Sequence, residues 1–463
     1  MSYTNGLDKP SDYFNTKLYT GNGSTQSITG VGFQPDWVWI KRRNASSNHI
    51  LTDVVRGNTK WLESNGTNAE QTGTDRITSF DSDGFGLGSN ANVNANTGTF
   101  TSWNWLAGGT APSITYNVKV VSDSGNKYRF DDFGTSAVTL DLQEGGTYTF
   151  DQSDSSNSGH PLRFSTTSDG THGGGSEYTT NVSTIGTAGS AGAKTVITVA
   201  ASAPTLYYYC TQHSGMGGQA NTNSTFGSSN FSGSIQSTVS ANISAGFSIV
   251  SYTATGSAGT LGHGLSAVPK MIILKERVGT ENWMVYHAGN TSAPETDYLL
   301  LNSTSATADF PVWNDTAPTS SVFSIGTDSS TSTSGDTYIV YCFAEKKGYS
   351  SFGTYQGNGN ADGTFVYTGF KPAWFMIKRT NNTSDWHIQD NKRDTFNPVD
   401  TSLFANTTDT DTTSSTYDTD FLSNGFKLRG TTTARNDAGS PYIYIAFAES
   451  PFVNSNGVPN NAR

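Results

Sequence analysis

Short runs of alternating apolar and polar residues, each ended by Gly, Asn-Gly, Asp-Gly or a Ser/Thr cluster, fill the chain from one end to the other. Alternation with period two sends successive side chains to opposite faces, so each run predicts a strand with one face buried and the other wet. Asn65-Gly66, Asp83-Gly84, Asp169-Gly170, Asp362-Gly363 and Asn424-Gly425 punctuate the runs. Asn, Asp and Gly tolerate the left-handed backbone that tight turns require, so these pairs predict turns. Apolar residues nowhere keep a helical period for long, and Thr52 to Leu62 is the best candidate for a short helix. The pattern predicts an all-β chain.

One stretch of the pattern recurs. Gly32-Phe33-Gln34-Pro35-Asp36-Trp37-Val38-Trp39-Ile40-Lys41-Arg42 returns as Gly369-Phe370-Lys371-Pro372-Ala373-Trp374-Phe375-Met376-Ile377-Lys378-Arg379, and more loosely from Gly264 to Lys275. Each copy closes on an aromatic strand that ends in Ala: Trp103 to Ala107, Val340 to Ala344 and Tyr444 to Ala448. The span from marker proline (Pro35, Pro269, Pro372) to closing alanine is nearly constant, so one fold is expected three times. Modules of roughly 100 residues with many short alternating strands describe tandem, jelly-roll-like β-sandwiches. The expected organisation is sandwich modules at 1–110, 247–348 and 349–463, an inserted module at 111–221 and a Ser/Asn/Gly-rich linker at 222–246. The second and third modules follow one another directly and are expected to form a rigid tandem.

Composition narrows the partners. Charged residues are 14% of the 463, against roughly 25% in a typical soluble protein, and the net charge of -11 is spread without acidic or basic runs. No positive stripe follows a nucleic-acid backbone, which excludes nucleic acid as a partner. No apolar run approaches the roughly 20 residues of a membrane span, and Met1 to Phe14 lacks the basic start and apolar middle of a leader, which argues against membrane insertion and for synthesis in a cytoplasm. Cys210 and Cys342 fall in different modules, which argues against a disulfide.

The phrases around Gly32 to Arg42, Tyr341 to Tyr355 and Phe365 to Arg379, with the ending Ala446-Phe447-Ala448-Glu449-Ser450-Pro451-Phe452, resemble repeat modules of tail-fibre-like structural proteins of marine phages of cyanobacteria and Pelagibacter. The resemblance implies a non-enzymatic virion protein made in a bacterial cytoplasm: a tail fibre, appendage or decoration component. It also implies association with further copies of itself (a homo-oligomer) and with other virion proteins, and contact with the host surface.

The inserted module carries a different signature. Glu144-Gly145-Gly146-Thr147-Tyr148-Thr149-Phe150 precedes Gly159-His160-Pro161-Leu162, and Leu206-Tyr207-Tyr208-Tyr209-Cys210-Thr211-Gln212-His213-Ser214-Gly215-Met216 follows far downstream. This arrangement resembles the cupredoxins, copper proteins with a Greek-key sandwich. A type-1 copper site takes two imidazoles and a thiolate in a plane with a long, weak thioether above it. Cys210, His213 and Met216 can come from one loop and His160 from a distant strand. The competing reading makes Cys210 and Met216 core residues of a fold kept as a spacer. His172, in a Gly-rich loop, is expected to be an exposed loop histidine.

An enzyme would need paired carboxylates or a nucleophile with an oriented base. The recurring polar pair, Asp53-x-x-Arg56 and Asp390-x-x-Arg393, meets His287 at the acid position of the second module. Loss of the acid in a sister module favours an ion pair that fixes a loop. A carbohydrate-binding adhesin for host surface glycans is the main rival reading. Most of the nine tryptophans lie on alternating strands and are expected in the core, whereas Trp61, Trp313 and Trp386 have polar neighbours and are the candidate glycan contacts. A copper redox module is a further alternative.

Overall fold

A computed structural model of the chain describes residues 6–223 and 225–461. The fold is all-β: antiparallel sheets dominate, and the α-helices are the single turns Ala91–Asn94, Ser329–Ser332 and Thr433–Asn436. The stretch expected as a helix is strand Ile50–Asp53, a turn and strand Lys60–Trp61. The Asp53 carboxylate accepts the backbone N–H of Arg56 at 2.9 Å, which closes a turn at the point where a helix would have begun.

The chain divides into two compact units: Met1–Ala107 with Ala241–Ala258 and Leu265–Arg463, and Gly108–Ser240 with Gly259–Gly264. The first unit contains the three repeats. Their principal sheets share one strand order: Phe14–Thr20, Thr99–Trp105, Trp37–Arg42, Ile50–Asp53 in the first; Phe247–Thr253, Thr337–Phe343, Met271–Glu276, Met284–His287 in the second; Ser350–Gln356, Pro441–Pro451, Phe370–Arg379, His387–Asp390 in the third. They also share one register. Trp37 stands opposite Asp53 and Trp105, Met271 opposite His287 and Phe343, and Trp374 opposite Asp390 and Phe447.

Both faces of these sheets are buried, contrary to the expectation of one wet face. In the first module Val38, Ile40 and Ile50 pack inward against Ile28, Phe85 and Leu87. The other parity, Trp37, Trp39, Trp103 and Trp105, is also buried. It meets the sister modules: Trp37 stacks on Tyr341 at 4.2 Å, and Trp105 lies 5.9 Å from Trp374 and 5.7 Å from Phe447. The three modules therefore surround a common aromatic axis, not a simple tandem of the last two.

The ring closes through equivalent bonds at each joint. Glu70 N–H donates to the Arg277 carbonyl at 2.7 Å, Thr307 N–H to that of Thr380 at 2.8 Å and Asp411 N–H to that of Arg43 at 2.9 Å, linking second to first, third to second and first to third. Ring N–H groups repeat the cycle: Trp283 Nε1 donates to the Glu63 carbonyl at 3.0 Å, Trp386 Nε1 to that of Leu300 at 2.8 Å, and His49 Nε2 to that of Phe404 at 2.9 Å. Trp39 Nε1 donates to His49 Nδ1 at 2.8 Å and thereby leaves the His49 proton on Nε2. Each module contributes one surface patch and receives a different one, the heterologous interface that generates rings when the rotation closes.

The second unit is a sandwich of a five-stranded and a four-stranded sheet. Its core includes Tyr116, Phe130, Phe150, Phe164, Tyr208 and Phe231. The expected linker at 222–246 is structured over its described residues. It contains strands Ser228–Asn230 and Ser237–Asn242, the Tyr116 hydroxyl donates to the Ser229 carbonyl at 2.8 Å, and Phe231 is in the core. Its small polar residues are solvated by the protein as well as by water, so composition alone misjudged them.

Candidate functional site

The site in the second unit grows out of one strand pair. Strand Leu162–Ser165 runs antiparallel to Leu206–Cys210 with Leu162 opposite Cys210, which sets the turn holding His160 beside the end of the Cys210 strand. The His160 carbonyl accepts bonds from Gln152 Nε2 and the Tyr128 hydroxyl, both at 2.9 Å, and its N–H donates to the Asn157 carbonyl at 2.8 Å. The loop after Cys210 is held at both ends. Thr211 N–H donates to the Pro161 carbonyl at 3.2 Å, Tyr128 N–H to the Met216 carbonyl at 3.0 Å, and Gly215 N–H to Asp169 Oδ1 at 2.8 Å. Gly215 has φ +70°, a left-handed conformation that suits a residue without Cβ at this bend.

These supports bring three predicted ligands together. The donor atoms of His160, Cys210 and His213 all lie within 4.8 Å of one another, and Cys210 Sγ is 3.8 Å from Nδ1 of each histidine. A nitrogen roughly 2.0 Å and a sulfur roughly 2.3 Å from one ion, 120° apart, are separated by about 3.7 Å, so the spacing is that of ligands sharing a metal. Burial, and then the neighbouring His213, lower the pKa of His160, which keeps its imidazole neutral with a free lone pair. Cys210 is buried, His160 half-buried and His213 exposed. The predicted fourth ligand, Met216, follows in the same loop with its side chain in the core. His172 is exposed as expected, yet it is tied to the site: its Nε2 donates to the Cys210 carbonyl at 3.0 Å. Sequence reasoning missed that role because the bond spans 38 positions of chain.

The candidate glycan contacts do not form a surface. Trp61, Trp313 and Trp386 are only 4%, 2% and 1% exposed. Trp61 lies under the Arg76 guanidinium, 3.5 Å from the ring centroid, Trp313 packs edge-on against Tyr286, and Trp386 makes one of the joints of the ring. Their polar neighbours in sequence do not mark a wet surface, since Glu63, Ser64, Ser384 and His387 are buried with them. For Trp386 the repeat itself was the missed signal, since register aligns it with Trp283 and His49 at the other two joints.

Asp53 and Arg56 form a fully buried ion pair, joined by the Tyr341 hydroxyl, which donates to Asp53 Oδ2 at 2.8 Å. In the third module Asp390 and Arg393 pair at 2.6 Å, and Trp103 Nε1 donates to Asp390 at 3.2 Å. At the equivalent place in the second module His287 Nε2 donates to the Tyr444 carbonyl at 3.1 Å. All three positions are joints between modules. A cleft of about 610 Å³ in the second unit is lined by Asp131, Asp132, Asp151 and Asp154. Asp132 pairs with Lys119 at 2.7 Å, and Asp131 accepts the Asn117 N–H at 2.8 Å.

A family described as a domain of unknown function, DUF7483, matches residues 9–139 and 220–451, more than half of the chain. The chain belongs to this family. The match passes over 140–219, the stretch containing His160, Cys210, His213 and Met216, so the family is defined by the ring repeats and the borders of the inserted unit. No curated protein and no solved structure matches the chain.

Proposed function

We propose that this chain is a non-enzymatic structural subunit of a tailed-phage particle, a fibre, appendage or decoration component. The observation that carries the reading is the closure of three repeats around a buried aromatic axis, with the charged pairs used as joints. Such a body resists deformation, because each module is held by both of the others. The resemblance of the repeat phrases to phage structural modules supports the same reading. Contacts with other virion proteins or with further copies of the chain use the outer surfaces, since the cyclic interfaces are filled within one chain. Gradient-purified particles analysed by mass spectrometry and imaged with an antibody to this chain are expected to contain it at a fixed position. Recovery only in the particle-free lysate overturns the proposal. Host-glycan binding is a weaker reading, because the three tryptophans that motivated it are in the interior.

A second reading applies to the inserted unit: His160, Cys210, His213 and Met216 hold a copper ion. The spacing of the two Nδ1 atoms and Sγ favours it. Copper bound there would add one-electron redox chemistry, and the bound ion would also stiffen the unit, since ligands arranged only in the folded state turn binding energy into folding energy. Addition of Cu(II) is expected to produce an intense visible thiolate-to-copper band and a raised Tm, both absent in Cys210→Ser. A colourless sample with an unchanged Tm rejects copper.

A further inference from the structure

One corner of the repeated sandwich carries opposite chemistry in two sister modules. In the first module it consists of Ile50, Trp61, Ile77 and Val93, all buried in one apolar cluster. Register puts His387, Ser402, Thr419 and Arg435 at the same positions in the third. Ile40 faces Ile50 as Ile377 faces His387, Ile77 faces Leu87 as Thr419 faces Leu428, and Val93 and Arg435 hold the same place in their one-turn helices.

The polar corner is incomplete. Arg435 is 2% exposed and donates to the Tyr417 carbonyl at 2.7 Å, to Gln389 Oε1 at 3.0 Å and to the Thr419 hydroxyl. Among the described residues it has no carboxylate within ion-pair distance. Burial lowers its pKa to about 10, which leaves it charged at neutral pH. Its Nε, both ring nitrogens of buried His387 and the Ser402 hydroxyl have no hydrogen-bond partner. The His387 ring stands 5.2 Å from that of Tyr417, whose carbonyl accepts from Arg435. A buried cation calls for a counter-charge, and buried donors call for an acceptor. Ser402 stands here at the register position that the Trp61 indole occupies in the first module.

We propose that this corner of the third module binds a small monovalent anion of the halide type, with Arg435 supplying the charge and His387 and Ser402 further donors. The Asp418 carboxylate acts on Arg435 from beyond ion-pair distance, so a water molecule would satisfy the imidazole but leave the guanidinium without a contacting counter-charge. The test is thermal unfolding of the full chain in sodium bromide and in sodium gluconate at equal ionic strength. Bromide is expected to raise Tm logarithmically above the dissociation constant, on the order of 2 °C per tenfold increase in concentration. Arg435→Val, which installs the residue of the sister module, is expected to abolish the bromide dependence. Crystals of the unaltered chain grown in bromide are expected to show an anomalous peak beside Arg435, and this measurement decides the matter if the variant fails to fold. Equal midpoints in the two salts together with ordered water alone at Arg435 overturn the proposal.

Discussion

In the ring unit the polar groups at one repeated position lie at joints between modules: Asp53 with Arg56 and Tyr341, Asp390 with Arg393 and Trp103, His287 with the Tyr444 carbonyl. In the inserted unit His160, Cys210 and His213 instead converge at the end of one strand, with His213 exposed. The first arrangement uses polar chemistry up in holding the structure, whereas the second leaves lone pairs open to a ligand. A polar residue type is thus a poor guide to function until its partner is known, since an aspartate–arginine pair in one unit is a rivet, whereas the histidine pair in the other is the one we propose as a metal site.

The sharpest break of this contrast is Asp53→Asn. It leaves the Arg56 guanidinium buried with Glu70 at 3.4 Å as its remaining charged partner, and removal of one member of a buried pair costs about 3–5 kcal/mol. Denaturant unfolding followed by tryptophan fluorescence is expected to show that loss in the ring unit, while the copper response of the inserted unit survives. If the loss is below about 1 kcal/mol, the pair is not a joint.

Acid tests the same joints without mutation. At two of them burial lowers the pKa of His287 to about 4 and holds His49 well below 6.5. The unfolded chain binds these protons near pH 6.5 and the folded chain resists them. Their contribution is therefore fully present above pH 6.5 and is lost as pH falls below it, for His287 down through about 4. For His287 alone it amounts to about 3 kcal/mol. The midpoint of the ring is expected to drop across that window, and His287→Gln is expected to flatten the drop. An unchanged slope in that variant would remove His287 from the account.

Trp283→Phe keeps most of the apolar bulk and deletes the Nε1 donor to the Glu63 carbonyl, leaving that buried acceptor only the long Gly66 N–H bond at 3.4 Å. Its expected cost is about 1–3 kcal/mol, and Trp386→Phe is expected to match it if the joints are equivalent. Unequal losses would show that the ring is closed more firmly on one side. The smallest effect belongs to Met216→Leu, a near-isosteric change in the core of the inserted unit. It is expected to cost less than about 1.5 kcal/mol and to shift the visible band of the copper-loaded protein. An unaltered band would place the thioether outside the site.

Much of this was legible in the chain. Trp37 and Trp39 alternate with Val38 and Ile40, and that run of apolar residues at both parities was itself a sign of burial on two faces. Cys210-x-x-His213-x-x-Met216 with His160 upstream pointed to the cluster that the fold assembles. Trp61, Trp313 and Trp386 were misjudged because hydrophilic neighbours describe the backbone path and say nothing about what a side chain meets across a joint.

The amino-acid sequence by itself determined the strands, the turns, the threefold repetition and the ligand types, because period, turn chemistry and residue identity are local properties. Tertiary structure alone decided that the repeats close into a ring, that Asp53 and Asp390 are joints, and that no carboxylate among the described residues touches Arg435. Those outcomes depend on which surfaces meet across hundreds of residues, and a contact of that range leaves no periodic trace in the chain that makes it.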